Sequence, residues 1–228
     1  MIAVVDYRKG NLKSVERGLL GAGGDVRVTD DAAVIARADA IVLPGVGAFA
    51  DAAATMRELG QMDVLRERID AGVPFLGICL GLHLMFEEGM EGAPAEDDGE
   101  SSTGALGLAV LPGVVTKMPN ADAEGRTFKI PHVGWNSVAD FGGPVGDENA
   151  GFVCPLLEGV APGEYFYFTH SYIAPETPAT VAVTEHSVVF PSVVRFRDAA
   201  FGVQFHPEKS SDAGARVLRN FVEIAKGA

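Results

Sequence analysis

The chain has 228 residues, a formal charge of −13 and a hydrophobic content of 47%. The length suits one domain, residues 1–228, with a sizeable core, and the composition excludes wholesale disorder. The acid excess comes without a basic patch, which argues against nucleic acid, and no apolar run approaches the roughly 20 residues of a membrane span.

Met1–Val5 is a short apolar run that reads as a strand, closed by Asp6-Tyr7. No basic segment precedes it and the two cysteines, Cys79 and Cys154, make no disulfide framework, so a reducing cytoplasm is expected. Asn11 is placed to cap a helix over 12–22, which Gly21, Gly23 and Gly24 end. Strands follow over 25–29 and 40–43, with a short helix over 32–38 between them. Residues 48–59 and 62–71 read as helices broken at Gly60, and 73–78 as a buried strand. Strands alternating with helices indicate a parallel, doubly wound sheet. Residues 80–88 have helical character, and 89–104, rich in Gly, Glu, Asp and Ser, read as an exposed loop. Its cluster Glu96-Asp97-Asp98-Gly99-Glu100 suits either a self-repelling soluble surface or adaptation to high salt. From 106 to 205 short β-like runs dominate (107–111, 113–118, 133–138, 165–169, 179–184, 193–197 and 200–205) and read as antiparallel. A helix over 212–225 closes the chain.

The stretch around Gly77-Ile78-Cys79-Leu80-Gly81 has the strand, sharp turn, helix layout of a nucleophile elbow, with cysteine as the nucleophile. The glycines leave room for a cramped backbone. The helix start favours a thiolate over a thiol. The alternative, a small buried core thiol, accounts for neither the glycines nor the switch of period. A second constellation ends the strand 200–205: His206-Pro207-Glu208. Residues two apart project to one face of an extended chain, so Glu208 can orient His206, and His206 can take the proton of Cys79. No histidine pair has metal-ligand spacing, so neither a metal nor another cofactor is expected. Pro44-Gly45-Val46-Gly47 follows a strand and precedes a helix. It reads as a plain βα turn or as an oxyanion loop that aims backbone N–H groups at a developing negative oxygen.

These segments resemble the class I triad glutamine amidotransferases. More narrowly, they resemble the glutaminase subunits of imidazole glycerol phosphate synthases, from histidine biosynthesis. The narrower likeness rests on Asp6-Tyr7 with Gly10-Asn11-Leu12, Pro44-Gly45-Val46-Gly47, Pro131-His132-Val133-Gly134-Trp135-Asn136, Tyr167-Phe168-Thr169-His170-Ser171-Tyr172 and His206-Pro207-Glu208-Lys209-Ser210. It spans nearly the whole chain, apart from 92–104 and parts of 120–126 and 139–150. The resemblance implies an α/β, flavodoxin-like fold: a central, mostly parallel sheet flanked by helices, with added antiparallel strands in the second half. It implies hydrolysis of glutamine to glutamate and ammonia by Cys79, His206 and Glu208. Leu80 with Val46 or Gly47 would form the oxyanion hole, and His83, Glu91, His170, Ser171 and Tyr172 would hold glutamine. Asn11, Trp135, Asn136 and Lys209 would face a (β/α)8-barrel cyclase, which takes the ammonia to make imidazole glycerol phosphate and AICAR. His83 stands where the family usually has glutamine, and Arg8 where it commonly has glycine. A triad glutaminase serving anthranilate or pyridoxal phosphate synthesis, and a silent regulatory paralogue, stay open as alternatives.

Overall fold

In the computed structural model the described residues are 1–93, 104–142 and 151–227. The acidic cluster Glu96–Glu100 lies outside them. In chain order the elements are β1 (Ile2–Val5), α1 (Leu12–Gly21), β2 (Val26–Thr29), α2 (Ala32–Ile35), β3 (Ala40–Gly45), α3 (Phe49–Glu58), α4 (Gln61–Asp70), β4 (Phe75–Cys79) and α5 (Leu80–His83). There follow β5 (Phe86–Gly89), β6 (Ala105–Leu106), β7 (Leu111–Lys117), β8 (His132–Ser137), β9 (Ala139–Asp140), β10 (Tyr165–His170), β11 (Tyr172–Ile173), β12 (Thr180–Glu185), β13 (Val189–Phe196), β14 (Ala200–Val203) and α6 (Ser211–Gly227).

The main sheet has the order β2-β1-β3-β4-β14-β13-β12-β9. Its first five strands run parallel, and β13, β12 and β9 extend it antiparallel. Period-two alternation sorts the strand side chains into two cores. Ile2, Val4, Val42, Leu76 and Ile78 meet Val15 and Leu19 of α1 and Val217, Leu218, Phe221 and Val222 of α6. Ala3, Val5, Ile41, Leu43 and Phe75 meet Ile35, Phe49, Met56, Leu65 and Ile69 of α2, α3 and α4 on the other face. A sheet buried on both faces explains the unbroken apolar runs of β1, β3 and β4. The remaining strands form two smaller sheets, β10-β8 and β11-β7-β5-β6.

The structure corrects several expectations. The helix read over 80–88 is one turn, because Phe86–Gly89 pairs as a strand with Leu111, Val114 and Val115. Residues 107–111 are not a strand; β7 takes up 111–117 as one element. The second half is not wholly antiparallel, since β14 runs parallel to β4 and β7 parallel to β5. Asn11 starts α1 without a side-chain cap. Arg8 adopts φ +64°, which explains why glycine suits that position.

One close approach fixes the turn after β4. A Cβ on Gly81 would lie 1.8 Å from the carbonyl oxygen of Leu43 in β3, a backbone atom that has no rotamer to escape by. Gly81→Ala is therefore expected to destabilise the fold by about 3 kcal/mol. Gly21→Ala, where an added Cβ meets nothing, serves as the control, expected within about 1 kcal/mol of the parent in the same urea titration.

Candidate active site

Cys79 closes β4, opposite Gly45 at the end of β3. Its φ of +54° lies in the left-handed region that residues with a Cβ rarely adopt. Such a conformation costs about 1–3 kcal/mol and persists only where the surroundings enforce it. Here Gly77 and Gly81 pack backbone on backbone, and a Cβ on Gly77 would lie 2.5 Å from the Gly81 oxygen. The elbow read from the sequence is therefore a real steric device.

β14 lies beside β4 and leads through Gln204 and Phe205 to His206. Two hydrogen bonds stitch this segment to β10, and a third closes the segment on itself. The His206 N–H donates to the Tyr167 carbonyl at 2.9 Å, and the Tyr167 N–H donates to Ser210 Oγ at 3.0 Å. The Ser210 hydroxyl in turn donates to the His206 carbonyl at 2.6 Å. His206 Nδ1 lies 2.8 Å from Glu208 Oε1, with side chains only 3% and 2% exposed. The pair meets across a 3-10 turn, Pro207–Lys209, not along an extended chain as their spacing suggested. Proline begins that turn, where its missing N–H leaves nothing unsatisfied. Burial opposes a charged ring at His206. Hydrogen bonding and charge from Cys79 and Glu208 outweigh it and hold the pKa up to about 9. The Nε2 edge is buried and makes no hydrogen bond of ordinary geometry, so its interaction with the sulfur is loose, as free active sites commonly are. Cys79, His206 and Glu208 thus come together.

Of the three, Cys79 lines a pocket of about 290 Å³, together with Val46, Gly47, Leu80, His83, Glu91, His170, Ser171 and Tyr172, with Pro131 and Thr169. All of the residues expected to form the oxyanion hole or to hold glutamine lie on this wall. Leu80 offers a first-turn N–H with no partner inside the helix. Burial raises the Glu91 carboxyl against the opposing Phe49 N–H, so this side chain also tends the uncapped start of α3. His83 is buried, its pKa pushed down to about 4 by desolvation, and its Nε2 lies 2.7 Å from Gln204 Oε1. Cys154 is a buried thiol whose pKa burial pushes up, and it does not line the pocket.

Behind the wall lies a directed chain of neutral histidines. His170 Nδ1 is 2.9 Å from the Tyr172 carbonyl, which only accepts, so the His170 proton sits there. His132 Nδ1 then donates to His170 Nε2 at 3.1 Å, and Asn136 Nδ2 donates to His132 Nε2 at 3.3 Å. Phe168 and Phe190 pack around these rings, and burial pushes His132 down to about 4 and His170 to about 3.

The residues expected at a partner lie outside the pocket lining. Trp135 is 52% exposed and meets Tyr167 edge to face at 6.2 Å. The Lys209 ammonium lies 5.8 Å from the same Tyr167 ring, and Asn11 is exposed. Asn136 differs: its amide also bonds the Glu185 carbonyl at 2.8 Å and accepts from the Ser137 N–H at 2.8 Å, which makes it an internal brace. Sequence reasoning missed Gln204 and Ser210. The readable signal for Gln204 was one carboxamide inside the apolar run Phe201–Phe205.

A cysteine elbow, a histidine–carboxylate pair and a βα loop at Val46–Gly47 beside the sulfur, on this sheet, are the arrangement of a class I glutamine amidotransferase. The sequence matches the glutamine amidotransferase class-I family over residues 3–225, and the chain belongs to that family. Its relatives include the imidazole glycerol phosphate synthase subunit HisH of Caldanaerobacter subterraneus subsp. tengcongensis, 40% identical over 99% of both chains. The HisH subunit of Syntrophotalea carbinolica is 41% identical over 98% of this chain and 100% of its own. Among solved structures, one described as a glutamine amidotransferase superposes with a TM-score of 0.67 at 18% identity, over 99% of this chain and 98% of that one, a likeness of fold.

The histidines set the pH dependence of stability. His83, His132 and His170 have folded pKa values of about 4, 4 and 3, below the ordinary 6.5. Below pH 6.5 the unfolded chain therefore binds protons that the fold refuses, and stability falls as pH drops towards 4. The slope is about 1.4 kcal/mol per pH unit for each ring. His206, raised to about 9, acts in the opposite sense: its contribution is present below pH 6.5 and lost as pH rises through 9. A thermal-shift series is expected to peak near pH 6.5, and replacing His170 with Phe should flatten its acid limb.

Proposed function

We propose that this chain is the glutaminase subunit of an imidazole glycerol phosphate synthase, with Cys79, His206 and Glu208 as its catalytic residues. The observation that carries the reading is Cys79 at the strained end of β4, lining the pocket, with the buried His206–Glu208 pair whose raised imidazole pKa reports the sulfur beside it. The Cys79 sulfur attacks the side-chain amide carbon of glutamine. The oxygen of the tetrahedral intermediate takes N–H groups from Leu80 and from Val46 or Gly47, donors placed where the negative charge develops. His206 passes a proton to the departing ammonia, and a γ-glutamyl thioester remains. Water then gives a proton to His206, attacks the thioester and releases glutamate, restoring the sulfur. Glu208 holds the ring with Nε2 towards the reacting atoms and steadies its charge.

Backbone groups of His170, Ser171 and Tyr172 hold the glutamine α-carboxylate, and Glu91 its ammonium. His83 lines the site as a neutral ring whose N–H is already bound to Gln204, so it meets the substrate by shape more than by donation. The partner is a (β/α)8-barrel cyclase docked on the face of Trp135, Tyr167 and Lys209. Ammonia passes to it without entering bulk water, where protonation would end its nucleophilicity. The setting is the cytoplasm, whose reducing chemistry suits a free nucleophilic thiol. Among the described residues no helix is long and apolar enough to cross a membrane.

With the cyclase present, Cys79→Ala is expected to abolish glutamine-dependent synthesis of imidazole glycerol phosphate while synthesis from added ammonium salt continues. Loss of both activities in a folded complex would refute the division of labour.

A further inference from the structure

α5 is a single turn, and the chain enters β5 at Phe86, so the summed dipole of a long helix is absent behind Cys79. A negative sulfur in this setting needs local donors. One is built into β14's continuation. Gln204 is fully buried, and its Nε2 lies 3.7 Å from Cys79 Sγ. The other end of the same carboxamide, Oε1, lies 2.7 Å from His83 Nε2.

The two contacts fix each other's direction. A carboxamide oxygen only accepts, so the neutral His83 carries its single proton on Nε2. That proton holds Oε1 on the His83 side and leaves the NH2 group facing the sulfur. Turning the carboxamide over would set an oxygen lone pair against a thiolate, an arrangement that loses a charge-assisted hydrogen bond and adds repulsion. Gln204 has no freedom to drift, because its own N–H donates to the Ser192 carbonyl at 2.9 Å in the neighbouring strand.

We propose that Gln204 is a positioning residue for the nucleophile, aimed by His83: it donates a hydrogen bond that supports the Cys79 thiolate and sets its direction towards His206. This deepens the reading of Cys79 as nucleophile and rests on it. It also gives His83 a role, as the residue that orients the amide. The other titratable groups around the sulfur are His206 with Glu208 behind it, Tyr7 from the end of β1, and Glu91 and His170 on the pocket wall. Among the described residues, none of these is hydrogen-bonded to the Gln204 side chain.

The test is the rate of alkylation of Cys79 by iodoacetamide across pH, read by mass spectrometry on the full chain with its cyclase, beside kcat and KM for glutamine. In Gln204→Leu the pH midpoint of alkylation is expected to rise by about one unit, and kcat to fall about ten-fold with KM within about two-fold. His83→Leu, which frees the amide without touching its strand, shifts the midpoint the same way. His83→Gln, which restores an N–H to Oε1, returns it towards the parent. The double variant His83→Leu/Gln204→Leu is expected to shift no further than Gln204→Leu alone, the mark of two residues acting through one contact. A parent-like midpoint in folded Gln204→Leu overturns the proposal. Should Gln204→Leu not fold, a parent-like midpoint in His83→Leu overturns it. Full additivity of the two changes does the same. Glutamine-dependent activity surviving in Cys79→Ala would instead sink the nucleophile reading itself.

Discussion

The backbone of the Cys79 turn lies directly against the backbone of β3, and this contact is what the rest of the site is built upon. Gly81 reaches the Leu43 carbonyl with no space for a methyl group, and Gly45 at the end of β3 stands opposite Cys79. Two consequences follow from one packing fact. The turn after β4 must be tight enough to hold a cysteine at φ +54°. The loop after β3, Val46 and Gly47, must then emerge beside the sulfur. Cys79 and the Val46–Gly47 loop, the nucleophile and oxyanion loop of the proposed reaction, are thus placed by strand register, not by long side chains. Register is the most rigid thing a sheet offers, because slipping by one residue would turn every core side chain to the wrong face.

The same scaffold separates the histidines by environment. His206 faces a carboxylate 2.8 Å away and a cysteine sulfur, and it is the ring whose pKa rises. His132 and His170 face aromatic carbon, carbonyl oxygens and each other, and their pKa values fall. His83 falls too, with a neutral carboxamide as its partner. Charge near the sulfur is therefore assigned to one imidazole. The others, kept neutral, serve as rigid donors and acceptors whose direction follows from the carbonyls at the ends of their chains.

Much of this was legible in the sequence for a reason of periodicity. The strands β1, β3 and β4 are buried on both faces and read as plain apolar runs, and glycines flanking a cysteine at a strand end mark a turn with no room for side chains. What escaped was set by tertiary contacts. Residues 80–88 carry helical propensity, yet Phe86–Gly89 becomes a strand because β7 lies beside it, a partner distant in sequence. The runs near the C-terminus alternate as antiparallel strands do, yet β14 also pairs parallel to β4, which no local pattern announces. The side-chain spacing of His206 and Glu208 was read along an extended chain, whereas Pro207 turns it. Gln204 is a single polar residue in an apolar run, and its role shows only in its two tertiary partners, His83 and Cys79.

Tyr167 links the outer surface to the chemistry. Its ring is held between Trp135 and Lys209 on the exposed side of β8 and β10. Its backbone, on the same residue, accepts from the His206 N–H and donates to Ser210, which in turn holds the His206 carbonyl. That aromatic face therefore belongs to the same strand that holds His206. In the proposed complex the cyclase occupies this face, so docking and the setting of His206 involve one strand. The next alternating positions of that strand, Phe168 and His170, point inward, to the aromatic core and the pocket wall. A displacement of β10 by a fraction of an ångström would thus reach His206 through Tyr167 and the pocket wall through His170 together, because a sheet strand moves as a unit and its two faces cannot be adjusted separately.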